Sequence, residues 1–113
     1  MKLVIERSKW LHGEGHSNSS LLRKRDGKMC CLGFYSLSCG LTQENIMEVP
    51  GPRDYTVIKY FNKDETRWLL DHNDANSLMD LNDGDPILMD ADSREQAIIN
   101  IFARHDVEVE FID

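Results

Sequence analysis

Apolar and polar residues alternate at both ends of the chain. The segment 2–7 places Leu3 and Ile5 between polar neighbours, and the segment 107–111 repeats the pattern with two valines and a phenylalanine. A period of two residues is typical of a β-strand with one buried face. We therefore predict a strand at each end. Neither strand can bury its apolar face alone, so we expect the two to pair, in a direction that the pattern leaves open.

Two segments have the apolar spacing of helices. A helix over residues 29–39 would have apolar side chains on nearly every side, and Gly40, which follows, suits a helix C-cap. This pattern predicts a short helix that is buried on most sides. Gly33 within it costs about 1 kcal/mol relative to alanine, so we expect close packing against a neighbour. Residues 93–104 have one apolar face and predict a second helix. Its capping box pairs Ser93 with Gln96 or Asp92 with Glu95.

The pattern is weaker elsewhere. Residues 10–20 are rich in glycine, serine and histidine and predict a mobile loop with few apolar anchors. Residues 42–48 predict a helical turn, residues 55–61 a strand and residues 65–70 a helix. Residues 71–92 are rich in aspartate and asparagine, and we expect an irregular acidic connection with a few buried anchors.

Composition bounds the fold class. The chain has 113 residues, of which 41% are hydrophobic and 29% charged, and this is typical of one globular domain rather than of a disordered chain. We therefore predict a single domain over residues 1–113. Its expected fold is α+β, with a small sheet that includes the N- and C-terminal strands and with helices packed on one face.

Charge and cysteine content limit the partner and the compartment. The formal net charge is −7, with seven basic and three acidic side chains in residues 1–28 and six basic and 17 acidic ones in the remainder. A mostly negative surface opposes direct binding to nucleic acid or to anionic membranes. The longest apolar run, residues 29–34, is far short of the roughly 20 residues of a membrane-spanning helix. Three cysteines without a spaced framework favour a reducing cytoplasm.

One candidate chemistry is a cysteine nucleophile. Cys30 or Cys31 lies near the start of the first predicted helix, where unpaired backbone N–H groups lower a thiol pKa, and His12 or His16 in the loop could supply a base. We prefer to interpret the cysteines as small core residues, because the chain has no cysteine-hydrolase signature. No spacing indicates a metal or a cofactor: there is no C-x-x-C pair, and the acidic segment lacks the EF-hand register.

The remaining candidates are side chains that could contact a partner. Exposed tryptophan is enriched at protein interfaces, although a tryptophan beside a strand is more often part of the core. Histidines in a loop and carboxylates in an acidic segment are further groups that a partner can recognise. The candidate binding residues are Trp10, His12, His16, Asp80, Asp83 and Asp85.

Several short motifs follow one another along the chain. They are Leu21-Leu22-Arg23, Asp26-Gly27-Lys28, Cys30-Cys31-Leu32-Gly33, Trp68-Leu69 and Leu81-Asn82-Asp83-Gly84. In this order the chain resembles, over about residues 10–102, a widespread group of small uncharacterised proteins encoded by bacteriophages and prophages. Members of that group have a Trp-and-Gly opening, a Cys-Cys-Leu-Gly helix and a Leu-Asn-Asp segment. The resemblance implies a phage origin and assigns no activity.

These observations give two hypotheses of different classes. The first is a small acidic phage-derived protein that binds and modulates a host protein, such as a defence or regulatory factor, in the bacterial cytoplasm and catalyses nothing. The second is a cysteine-dependent hydrolase or transferase that uses Cys30 or Cys31. The rate at which the thiols react with an alkylating reagent distinguishes the two. The sequence leaves the identity of the partner and the oligomeric state open.

Overall fold

The computed structural model describes residues 1–71, 73–84 and 89–113 of the chain. They form an α+β fold in which helices pack against one small sheet made by the two ends of the chain. Short 3-10 turns lie at Arg7–Lys9, His16–Asn18 and Ile58–Phe61. The strands are β1 (Lys2–Glu6) and β2 (Glu108–Ile112), and the helices are α1 (Cys31–Ser38), α2 (Gln43–Ile46), α3 (Trp68–Asp71), α4 (Asp74–Asp83) and α5 (Ala91–Ala103).

The sheet joins the first and last strands in parallel. Leu3 lies beside Val109 and Ile5 beside Phe111, so the apolar residues of both strands share one face. Helix α1 packs against β1 and α5 against β2, which buries that face and leaves Leu3 and Ile5 1% and 0% exposed. The predicted pairing of the chain ends is confirmed, and its direction is parallel.

Helix α1 lies in the centre of the core, as its apolar pattern predicted. Cys31, Leu32 and Tyr35 are at most 1% exposed. A Cβ atom built on Gly33 would lie 1.8 Å from the carbonyl oxygen of Leu21, so only glycine allows the backbone to approach this closely. The expected close packing at this glycine is confirmed.

Helix α5 buries Ile98, Ile101 and Phe102 and confirms the second predicted helix. Its N-cap is Asp90, whose Oδ1 accepts a hydrogen bond from the Ser93 backbone N–H at 2.8 Å. Both predicted capping boxes are therefore wrong, because the helix begins two residues before the expected start. Within the described residues, no helix is both long enough and apolar enough to cross a membrane.

The strand predicted at residues 55–61 is wrong. Asp54 accepts hydrogen bonds from the backbone N–H and the hydroxyl of Thr56, which closes a turn, and a 3-10 helix follows. The buried residues of this segment are Val57 and Phe61, which lie four positions apart. That spacing suits a helical segment and not the period of two that a strand requires.

The irregular connection predicted over residues 71–92 is also wrong in the part that the structure describes. Helix α4 occupies ten of these residues, and it points Ala75, Leu78 and Asn82 inward at helical spacing. The high aspartate and asparagine content had indicated turns, but burial of one face outweighs that weak local preference. The other two short helices agree with prediction: Thr42 is the N-cap of α2 and forms a capping box with Asn45, and α3 overlaps residues 65–70.

Candidate functional site

Three distant segments of the chain meet at the side chain of Asn82, which is 0% exposed. Its Oδ1 accepts hydrogen bonds from the Trp10 indole Nε1–H at 2.8 Å and from the Cys31 backbone N–H at 2.9 Å. Its Nδ2 donates to the Leu11 carbonyl at 2.8 Å and to Asp83 Oδ1 at 2.9 Å. We call this arrangement the Asn82 junction. An amide has two donor hydrogens and two acceptor positions, so the side chain is fully satisfied.

The junction holds the segment 10–20 against the last turn of α4. Gly13 and Gly15 donate their backbone N–H groups to the carbonyls of Asn82 and Asp83 at 2.9 and 3.0 Å, which satisfies acceptors that a helix end leaves free. Both glycines have positive φ angles, 71° and 84°. Trp10 and Leu11 are 3% and 1% exposed, so the segment has more anchors than its composition indicated.

Arg94 closes the junction from the side of α5. It is 2% exposed, and its Nη1 donates to the carbonyls of Leu81 and Asn82 at 2.6 and 3.0 Å, while its Nη2 donates to the carbonyl of Gly84. A cation at this position complements the negative end of the α4 dipole. The burial of Arg94 was not predicted from the sequence, because a charged residue on a helix is expected to face solvent.

His12 is attached to the junction through Trp10. The two rings stack with centroids 3.8 Å apart and an angle of 15° between their planes, and Nδ1 of His12 lies 3.0 Å from the Trp10 carbonyl oxygen. The ring is half-buried, and this burial lowers the pKa of His12 below its ordinary value of 6.5. The contact with the Trp10 carbonyl and the charge of Glu95 oppose this lowering of the pKa, whereas charge repulsion from Arg94 and Lys28 adds to it.

His16 forms the outer edge of the junction together with two carboxylates. Its Nδ1 lies 2.8 Å from Asp83 Oδ2, and its Nε2 lies 3.1 Å from Asp80 Oδ1. The side chains of His16 and Asp80 are 63% and 74% exposed, whereas that of Asp83 is 6% exposed. We call His16, Ser17 and Asp80 the junction rim. Of the candidate binding residues, Asp85 lies outside the described residues.

The two adjacent cysteines lie at the inner side of the junction. Cys30 is the N-cap residue of α1, and Cys31 is its first residue. Their exposed fractions are 5% and 0%. Burial raises the pKa of the Cys30 thiol to about 12 and that of Cys31 well above its ordinary range. The start of α1 therefore does not offset the loss of solvation, and neither sulfur is available as a thiolate near neutral pH.

A polar depression of about 470 Å³ lies beside the junction rim. It is lined by residues 16–20 together with Arg23, Arg25, Glu48 and Pro50. Arg23 donates to Glu14 Oε1 at 3.0 Å and to the Asn18 carbonyl at 3.1 Å, so it fixes the wall of the depression. Within the described parts of the chain, no group of three or more His, Cys, Asp or Glu side chains is arranged to hold a metal ion.

The junction unites the motifs that had supported the resemblance to phage-encoded proteins. Trp10 belongs to the Trp-and-Gly opening, Cys31 to the Cys-Cys-Leu-Gly helix and Asn82 to the Leu-Asn-Asp segment, and the Asn82 amide bonds to the other two. The sequence shows these motifs but carries no signal that Asn82 connects them. Comparisons of this chain with protein-family models, with curated proteins and with solved structures find no match.

Proposed function

We propose that this protein is a small acidic binding protein of phage origin that attaches to a host protein in the bacterial cytoplasm and modulates it, as a blocker of a defence or regulatory factor would. It catalyses no reaction. The junction rim is the centre of the contact surface, and the polar depression beside it receives side chains of the partner.

One observation supports this proposal above the others. The polar and nucleophilic side chains inside the junction stabilise the fold. The amide of Asn82 makes four hydrogen bonds, and the thiols of Cys30 and Cys31 are buried. The exposed groups lie outside it: His16 and Ser17 are on the segment that the junction fixes in place, and Asp80 is on α4. A fixed polar loop favours binding, because little conformational entropy is lost when a partner docks.

The charge of the chain favours a partner with a basic surface. The net charge of −7 attracts such a surface over the Debye length, about 8 Å at physiological ionic strength. A groove on a host protein that normally binds nucleic acid is basic, so its charge has the required sign. Affinity for such a partner falls as the salt concentration rises.

The test is affinity capture from a bacterial lysate with three forms of the tagged protein. Asp80→Lys reverses a charge on the rim, and Asp64→Lys makes the same change at a carboxylate that is 97% exposed and lies elsewhere. We expect one host protein to be retained by the wild type and by Asp64→Lys, and to be lost with Asp80→Lys. Circular dichroism confirms that all three forms are folded.

The retained protein is then purified and titrated against each form. We expect Asp80→Lys to weaken binding by about tenfold or more, which corresponds to about 1.4 kcal/mol, and Asp64→Lys to have little effect. Equal retention of the host protein by both variants would exclude the rim as the contact surface. Failure to retain any host protein specifically would contradict the proposed function itself.

A further inference from the structure

The sheet of this protein has two strands, and both outer edges are open in the part of the chain that the structure describes. No backbone hydrogen bond among these residues connects the outer edge of β1 or of β2 to another segment. Parallel sheets are usually larger than this and are covered on both sides, and an open edge offers unpaired N–H and C=O groups to another strand.

The register of the ladder determines which groups β1 leaves free. Glu108 donates its backbone N–H to the carbonyl of Met1 at 2.9 Å and lies beside Lys2. In a parallel ladder this arrangement directs the backbone groups of alternate residues toward β2. The N–H and C=O groups of Lys2, Val4 and Glu6 therefore point away from β2, along the open edge.

From this geometry we propose that β1 pairs with β1 of a second copy of the chain, in antiparallel direction about a two-fold axis at Val4. Val4 then lies opposite Val4 of the second copy, Lys2 lies opposite Glu6 of the second copy, and Glu6 lies opposite Lys2 of the second copy. Each of these three residue pairs exchanges both N–H···O bonds, because the free groups of antiparallel partners face each other at alternate residues. The product is a continuous four-stranded sheet.

The side chains of the edge agree with this arrangement. Lys2 and Glu6 lie on the solvent side of the sheet, with side chains 54% and 43% exposed. The two-fold axis places each lysine beside the glutamate of the other copy, so the dimer contains two opposite-charge pairs. Val4, which is 41% exposed as a monomer, meets the same residue of the second copy. Placing opposite charges and apolar groups together favours association at this register.

The other edge does not have this complementarity. Two copies of β2 paired about their central residue would bring Glu110 against Glu110 of the second copy, and like charges directly opposite one another destabilise a strand pair. Pairing β1 of one copy with β2 of the next is a head-to-tail contact, which produces a ring where its rotation closes and a fibre where it does not, and in neither case a two-fold dimer. The two-fold pairing of β1 is the arrangement that closes and also balances charge.

The proposal is tested by sedimentation velocity over a series of protein concentrations with single charge reversals at the edge. We expect the wild type to shift from monomer to dimer as concentration rises. Lys2→Glu and Glu6→Lys should each remain monomeric at the concentration where the wild type is half dimeric. An equimolar mixture of these two variants should regain the dimer, since each edge then faces opposite charges on the other.

Two controls separate this surface from general charge effects. Glu44→Lys and Lys59→Glu make the same reversals at exposed positions away from β1, and they should leave dimerisation unchanged. The double variant Lys2→Glu/Glu6→Lys should dimerise like the wild type although it lacks the intrachain pair of Lys2 with Glu110. That result would assign the effect to contacts between copies.

Hydrogen exchange gives an independent measurement at single residues. The amide hydrogens of Val4 and Glu6 point to the open edge, so they should become protected as the protein concentration rises, whereas the amides of Leu3 and Ile5 should be protected at all concentrations. A wild type that stays monomeric at the highest soluble concentration would overturn the proposal. So would a dimer that the edge reversals leave intact, or a monomer whose β1 edge binds a strand of a host protein.

Discussion

The side-chain amide of Asn82 accepts a hydrogen bond from the indole of Trp10, 72 residues away in the sequence, with Nε1 of the tryptophan 2.8 Å from Oδ1. The same oxygen accepts a hydrogen bond from the backbone N–H of Cys31, at the start of α1. One buried side chain therefore joins the loop after β1, the central helix and the end of α4. The position of the loop and the stability of the core depend on the same residue.

Replacing Asn82 with alanine should destabilise the protein by about 3 kcal/mol or more. The change leaves the Trp10 indole, the Cys31 N–H and the Leu11 carbonyl buried without a partner, and each such group costs about 1–3 kcal/mol. Urea unfolding measures the change. Asn76→Ala on the exposed side of the same helix is the matched control, and it should shift the free energy of unfolding by no more than about 0.5 kcal/mol.

Gly33→Ala should also destabilise the protein, although alanine is the better helix former by about 1 kcal/mol. The new methyl group would lie 1.8 Å from the Leu21 carbonyl oxygen and 2.9 Å from Met29 Cβ, so backbone must move. Overpacking of this kind costs about 1–3 kcal/mol. Thermal unfolding should show a lower midpoint for Gly33→Ala and an almost unchanged one for Ser38→Ala, an exposed position in the same helix. A more stable Gly33→Ala variant would show that the contact relaxes easily.

The fold was predictable where apolar residues recur at a strong period. The alternation around Leu3 and Ile5 predicted β1, and the matching alternation at the other end predicted β2. The spacing of Ile98, Ile101 and Phe102 predicted α5. In each case one face of the element is buried, and burial of that face determines which element forms. The α+β class and the pairing of the chain ends follow from these patterns.

The junction was not predictable from such patterns. Its hydrogen bonds connect Asn82 to Cys31 and Trp10 across 51 and 72 residues, and polar contacts at those separations leave no period in the sequence. Aspartate and asparagine are common in turns, so the composition of α4 did not indicate a helix with one buried face. The burial of Arg94 became evident only from the α4 carbonyls that it contacts.

The thiols of Cys30 and Cys31 should react slowly with iodoacetamide at neutral pH. Burial raises the pKa of Cys30 to about 12 and that of Cys31 well above its usual range, so the reactive thiolate is scarce and shielded. Mass spectrometry of the native protein should find both residues unmodified after exposed thiols of a reference peptide have reacted. Both should be modified in denaturant. Rapid modification of either residue in the native protein would restore the hypothesis of a cysteine-dependent enzyme.

The contribution of His12 to the stability of the fold should fall as the pH is lowered through the ordinary range of histidine. Burial lowers the pKa of His12 in the folded protein below 6.5, so the unfolded chain binds a proton more readily than the folded one. The contribution of His12 to the free energy of unfolding is therefore fully present above pH 6.5 and is lost as the pH falls toward the lowered pKa.

His12→Phe isolates this contribution, because phenylalanine can keep a flat ring against Trp10 and cannot be protonated. The variant loses the contact between Nδ1 and the Trp10 carbonyl, which lowers stability at every pH, so the slope with pH is the informative quantity. Thermal unfolding midpoints measured between about pH 7.5 and pH 5.5 should fall less steeply for His12→Phe than for the wild type. Equal slopes for the two proteins would show that the burial of His12 does not govern its protonation.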